Sequence, residues 1–170
     1  GGLLAAGADP AAVRVADPSA DARAALASDF GVATFESAAD AVDGAEAWVF
    51  AVKPQVMRAV CTELAAVAQQ ARPLVVSIAA GITSAQLDRW LGGGLAVVRT
   101  MPNTPALLGA GVTGLYANPR VDAAGRARAE GLLASAGATV WIDDEALMDA
   151  VTGTSGSGPA YVFLLAEAME

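Results

Sequence analysis

Four apolar runs in this 170-residue sequence stop at short stretches able to meet a ligand. They are Asp17-Pro18-Ser19, Lys53-Pro54-Gln55, Ala79-Ala80-Gly81 and Met101-Pro102-Asn103-Thr104-Pro105. Each residue type suggests a chemistry. A carboxylate such as Asp17 can hold a ribose diol, or it can simply cap the next helix. Lys53 can meet a phosphate, or be a solvated strand-end lysine. Gly81 permits close backbone approach, or merely supplies a turn of positive φ. Pro102 and Pro105 fix φ and donate no hydrogen bond, so they end a strand and stiffen the loop holding Asn103 and Thr104. Further on, the small residues from Gly153 to Gly158 precede a helix start. They form either a flexible joint or a row of exposed amides suited to an anion.

Other chemistry is excluded by composition. The chain has no histidine and one cysteine, Cys61. A His/Cys zinc site, a histidine-dependent triad and an internal disulfide are therefore ruled out. The lone cysteine suits a reducing cytoplasm. A net charge of −8 argues against nucleic acid or an anionic membrane as main partner. No apolar run approaches the roughly 18 residues of a membrane span. Hydrophobic residues make up 55% but aromatics only 5%, a profile for helices packed closely on a sheet through small side chains.

The elements that must position these loops follow from periodicity. Gly1–Gly7 reads as the end of a helix stopped by Gly7, and a strand over 13–17 follows. Ala22, Ala25, Leu26 and Phe30 share one face of a helix over 20–30. A short strand at 32–34 and an alanine-rich helix capped by Ser37 come next. Continuous apolar runs at 47–52, 73–78 and 95–98 predict strands buried on both faces. Helices over 55–70, 84–91 and 121–136 separate them from each other and from a last strand at 138–142, with an extra strand at 111–117. Such alternation predicts a mostly parallel α/β sheet with helices on both faces. At Asp143-Asp144-Glu145 the texture changes. We expect a nucleotide-binding domain over 1–144 and the start of an all-α domain over 145–170, with a helix at 145–151, a Gly/Ser turn at 153–158 and a helix opened by Pro159.

Phe50 to Gln55, Ser77 to Thr83, Arg99 to Ala106 and Asp149 to Tyr161 together resemble, in order and spacing, pyrroline-5-carboxylate reductase. The resemblance covers essentially the whole chain. It implies a Rossmann-type fold and hydride transfer from NADPH or NADH to 1-pyrroline-5-carboxylate, giving L-proline. It also implies a cytoplasmic homo-oligomer formed through the helical domain. A protonated imine is already electrophilic, so absence of histidine is no obstacle; alignment and electrostatics suffice. By the resemblance, Ala51, Val52, Lys53 and Pro54 border the cofactor's pyrophosphate and ribose. Asp17 and Ser19 lie at the adenine ribose, and Ala79, Ala80 and Gly81 approach the nicotinamide half. Asn103 and Thr104 sit at the nicotinamide amide, and Ser155, Ser157 and Pro159 near the substrate.

The family opens with a strand and a Gly-x-Gly loop, and carries a Ser-Pro-Gly-Gly-Thr type substrate loop; neither occurs among these residues. The expectation is a fragment of a longer enzyme, unstable and inactive alone. Asp17 favours NADH, because a carboxylate repels a 2′-phosphate, while Ser19 and Arg14 offset that preference. Two alternatives are a 6-phosphogluconate or β-hydroxyacid dehydrogenase-like enzyme and a non-catalytic cofactor-binding module. The first is disfavoured because residues 151–170 contain no lysine.

Overall fold

The computed structural model describes residues 1–170. Two sheets, one of two strands and one of five, organise it. Helix α1 (Gly2–Ala5) leads to strand β1 (Arg14–Ala16), helix α2 (Ala20–Phe30), strand β2 (Ala33–Phe35) and helix α3 (Ala38–Ala41). Strands β1 and β2 form a parallel pair by themselves, with Val15 opposite Thr34.

The main sheet has five strands in the order β3 (Ala47–Phe50), β4 (Leu74–Ser77), β5 (Ala96–Met101), β6 (Gly111–Ala117) and β7 (Gly137–Trp141). Strands β3, β4 and β5 run parallel, β6 is antiparallel to β5, and β7 runs parallel to β6. The extra strand expected at 111–117 is thus the one that reverses direction. Helices α4 (Pro54–Ala71), α5 (Ser84–Trp90) and α6 (Ala123–Leu133) cover the faces.

Every residue of β4 is buried, and alternate residues point to opposite faces. Val75 joins Val97, Met57, Cys61, Leu64, Leu87 and Leu91 in one cluster under α4 and α5. Leu74 and Val76 join Val98, Leu115, Ala129 and Leu133 under α6. In α4 the buried residues Met57, Cys61, Leu64 and Ala68 recur at helical spacing and define its inner stripe. Burial pushes the Cys61 thiol up to about 11, so it stays protonated in the core.

Hydrogen bonds close both ends of the sheet. At one end Asn118 accepts from Val97 N at 3.2 Å and donates to Leu95 O at 3.0 Å. At the other, Thr100 Oγ1 donates to Ser77 O at 3.0 Å and ties β5 to β4 just before the proline-bounded loop.

Three local expectations need correction. The stretch 153–158 is not a Gly/Ser turn. After a 3₁₀ turn at Glu145–Leu147 and helix α7 (Met148–Val151), residues Thr152–Gly156 form a π-helical turn that runs on to helix α8 (Gly158–Met169). Glycine is permissive of turns but equally able to continue a wide helix, and here the flanking helices decide. The helix expected over 121–136 narrows to 123–133 and ends in a 3₁₀ turn at 134–136. Ala25 is exposed, while Ala22, Leu26 and Phe30 are half-buried, because α2 packs only on a two-stranded ribbon.

Candidate active site

The carboxyl ends of β3, β4 and β5 lie along one edge of the main sheet, and each hands over to one of the expected loops. After β3, Ala51 is exposed, Val52 is half-buried against the α4 core, and exposed Lys53 stands at the N-cap of α4. Lys53 makes no side-chain capping bond, while Pro54 takes the first-turn position that lacks a helical N–H partner. A free ammonium beside the positive end of an 18-residue helix attracts anionic groups.

After β4, Ala79 is buried and its N–H donates to Ser77 Oγ at 3.2 Å. Ala80 and Gly81 are exposed. Gly81 holds φ +74, and a Cβ there would meet nothing within 4 Å. The backbone conformation, not crowding, calls for glycine, and the surface beside it stands open. Thr83 then caps α5 through a capping box with Gln86.

After β5, Asn103 works as a strut. Its Nδ2 donates to Ser155 Oγ at 3.1 Å, and its Oδ1 accepts from Val112 N at 3.0 Å. The loop therefore joins the start of β6 to the π-helical turn. Thr104 is exposed and begins the 3₁₀ turn Thr104–Leu108. Ser157 N–H donates to Thr152 O at 2.9 Å, closing the π turn ahead of Pro159.

Asp17 and Ser19 stand apart from these loops, on the β1–β2 pair. Asp17 Oδ1 accepts from Ser19 N at 2.8 Å, and Ser19 Oγ caps α2 by accepting from Ala22 N at 3.3 Å. So Ser19, not Asp17, is the helix cap. Asp17 keeps one carboxylate oxygen outside this turn. Arg23 holds the turn from below, donating to the carbonyls of Asp17 at 2.7 Å and Pro18 at 3.0 Å, and pairing with Glu36 at 3.6 Å.

A charged cluster behind the loops carried no role in the sequence reading. Arg99 on β5, 5% exposed, pairs with Glu145 at 3.6 Å and Asp149 at 3.0 Å. Glu145 also accepts from Ser84 N at 2.6 Å and Ser84 Oγ at 2.8 Å. One signal could have found it. A lone arginine interrupts the apolar run Val97-Val98-Arg99, and two acids stand four positions apart just after the change of texture. Two surface depressions of about 730 and 410 Å³, lined by Arg14, Phe35 and Gln70 and by Arg72, Arg120 and Arg128, lie away from this edge.

This arrangement fits a dinucleotide. It offers a carboxylate with a spare oxygen, a free cation at a helix start, and two strand ends whose small residues leave backbone accessible.

Known proteins resemble this chain in sequence and in fold. Residues 1–81 match the family described as NADP oxidoreductase, coenzyme F420-dependent, and residues 145–170 match that described as pyrroline-5-carboxylate reductase dimerisation. The chain is 53% identical to a pyrroline-5-carboxylate reductase from Pseudomonas aeruginosa over 99% of its own length and 62% of the relative's. Against the Haemophilus influenzae enzyme it is 44% identical over the same shares. Over the residues that it shares with them, the chain is similar to pyrroline-5-carboxylate reductases. It spans about 62% of the length of these curated relatives. Among solved structures, the family's Coxiella burnetii member superposes with TM-score 0.93 at 38% identity, covering 98% of this chain and 62% of that one. A Plasmodium falciparum member with NADP bound gives TM-score 0.84 at 26% identity, covering 98% and 60%. An Aquifex aeolicus prephenate dehydrogenase, at 14% identity and TM-score 0.74, shares the fold.

Proposed function

We propose that the protein reduces 1-pyrroline-5-carboxylate to L-proline, with NADPH or NADH as hydride donor. The observation that supports this most is the convergence of the Lys53, Gly81 and Asn103 loops on one sheet edge. The similarity to named reductases over 99% of the chain agrees with it.

In this reading Asp17 and Ser19 receive the adenine ribose, and Lys53 with the first turn of α4 receives the pyrophosphate. Val52, Ala51 and Pro54 border it, and Ala79, Ala80 and Gly81 leave room for the nicotinamide half. Asn103 and Thr104 form the far wall, with Ser155 and Ser157 toward the substrate. The cofactor supplies the hydride, and the protonated ring nitrogen of the substrate makes the C=N carbon the acceptor. The residues of this chain orient and exclude; none need act as an acid or base. Entropy surrendered on binding, and not proton transfer, is the barrier they lower.

The division into a nucleotide-binding unit over 1–144 and a helical oligomerisation unit from 145 belongs to the same proposal. So does assembly into a homo-oligomer with a small-molecule substrate, without nucleic acid or membrane. No helix is long and apolar enough to cross a membrane. A buried, protonated Cys61 suits a reducing cytoplasm. The decisive measurement is oxidation of NADPH and of NADH by the full-length protein with and without 1-pyrroline-5-carboxylate. Turnover that depends on the imine is expected; none with either cofactor refutes the proposal.

A further inference from the structure

Arg99 raises a question that the proposed reaction leaves open. A guanidinium 5% exposed at the end of a central strand is strongly unfavourable without partners. Both partners come from outside the sheet. Asp149, 82% exposed, makes the hydrogen bond at 3.0 Å. Glu145 is farther at 3.6 Å but only 21% exposed, and Ser84 fixes both of its oxygens. The more enclosed, better-held acid is the stronger anchor, since solvent weakens the other.

The network joins three segments. Arg99 lies on β5 ahead of the Asn103 loop, Ser84 begins α5 after the Ala79–Gly81 loop, and Glu145 and Asp149 open the helical segment. A second attachment lies at that segment's far end. There Ser155 accepts from Asn103, and a Cβ on Gly156 would come 2.5 Å from Met101 Cε. One attachment fixes a segment's position; two, at its ends, fix its direction as well. The intervening π turn, Thr152–Gly156, is a wide turn of the kind that often marks functional sites.

We infer that Arg99 is a positioning residue for the imine reduction. Through Glu145 and Asp149 it aims the segment 145–156 so that Ser155 meets Asn103 at the carboxyl edge of the sheet. The inference rests on the proposed function for its kinetic consequence, though not for its structural one.

The test uses the full-length protein with Arg99→Met, Arg99→Lys, Glu145→Gln and Asp149→Asn. Misplacing a positioned group should lower kcat on the order of 10- to 100-fold in Arg99→Met. Cofactor Kd should stay within about threefold, since the loops at β3 and β4 keep their own anchors. Arg99→Lys, which keeps charge but loses the fork, should recover part of kcat. Glu145→Gln should act in the same direction, and adding it to Arg99→Met should cost little more. Independently of any ligand, amide exchange over 148–156 should quicken in Arg99→Met while β4 and β5 amides keep their protection. Wild-type exchange over 148–156, or kcat within about twofold of wild type in the folded variant, overturns the inference. Should Arg99→Met not fold, Glu145→Gln decides by the same two readouts. Failure of the proposed function appears differently, as absent imine-dependent turnover in the unsubstituted protein, and leaves the exchange result standing.

Discussion

Asn103 has less to offer a ligand than its place suggests. A primary amide has two N–H donors and two carbonyl lone pairs. Ser155 takes one donor and Val112 N–H one lone pair, leaving one of each for a nicotinamide carboxamide. Asp17 has the opposite history. Its carboxylate spends one oxygen on Ser19 N, and Arg23, which holds the same turn, is committed to two carbonyls and Glu36. Arg14, the other candidate to offset the charge, stacks on Phe35 and donates to Asp40 O at 2.6 Å. Asp17 therefore stands without a cation to accept a 2′-phosphate. Asp17→Asn keeps the acceptor that holds Ser19 and removes only the charge. The ratio of kcat/KM for NADH to that for NADPH should fall about 3- to 10-fold, or ~0.7–1.4 kcal/mol for one partly screened charge. An unchanged ratio in full-length protein removes Asp17 from cofactor choice.

Between β5 and the π turn the packing is close enough to test directly. A Cβ on Gly156 would lie 2.5 Å from Met101 Cε, the free end of a flexible side chain. Gly156→Ala must push that methyl aside, costing about 1–2 kcal/mol of stability by overpacking. Met101→Ala in the same protein should relieve most of that cost, so denaturant titrations of the two singles and the double should show a favourable coupling. Strict additivity contradicts the contact. Elements of this kind were only partly legible in the sequence. The buried strands announce themselves, since Leu74–Ser77 has no polar residue before its last position and Val97–Val98 none at all. The loops at their ends are equally plain, because proline and glycine act locally. The π turn is not, because Thr-Gly-Thr-Ser-Gly suits a turn by propensity and is drawn into helix by the flanking α7 and α8. Nor is the Arg99 network, whose acidic partners lie 46 and 50 residues away and meet only once the sheet is built. The direction of β6 is likewise invisible to its alternation, which parallel and antiparallel neighbours share.

Taken as one body, the molecule leaves apolar and hydrogen-bonding surface uncovered. Strands β1 and β3 each pair on one side only, and the two-stranded and five-stranded sheets share no ladder. Edges of that kind template pairing with other chains. The larger exposure is α8, where Tyr161, Val162, Phe163, Leu164 and Leu165 are all at least 60% exposed. A helix apolar on every side belongs in a core, and one in water seeks cover. It lies wholly within residues 145–170, which match the family's dimerisation region. The 170-residue chain should therefore sediment as associated species that grow with concentration. Phe163→Lys with Leu165→Lys places charge on that surface and should shift the distribution toward monomer, while the far-ultraviolet dichroism of the sheet and its helices stays intact. A concentration-independent monomer in the unsubstituted chain would show that α8 folds back onto the sheet instead. Association unmoved by the two lysines would assign it to the open edges of β1 and β3.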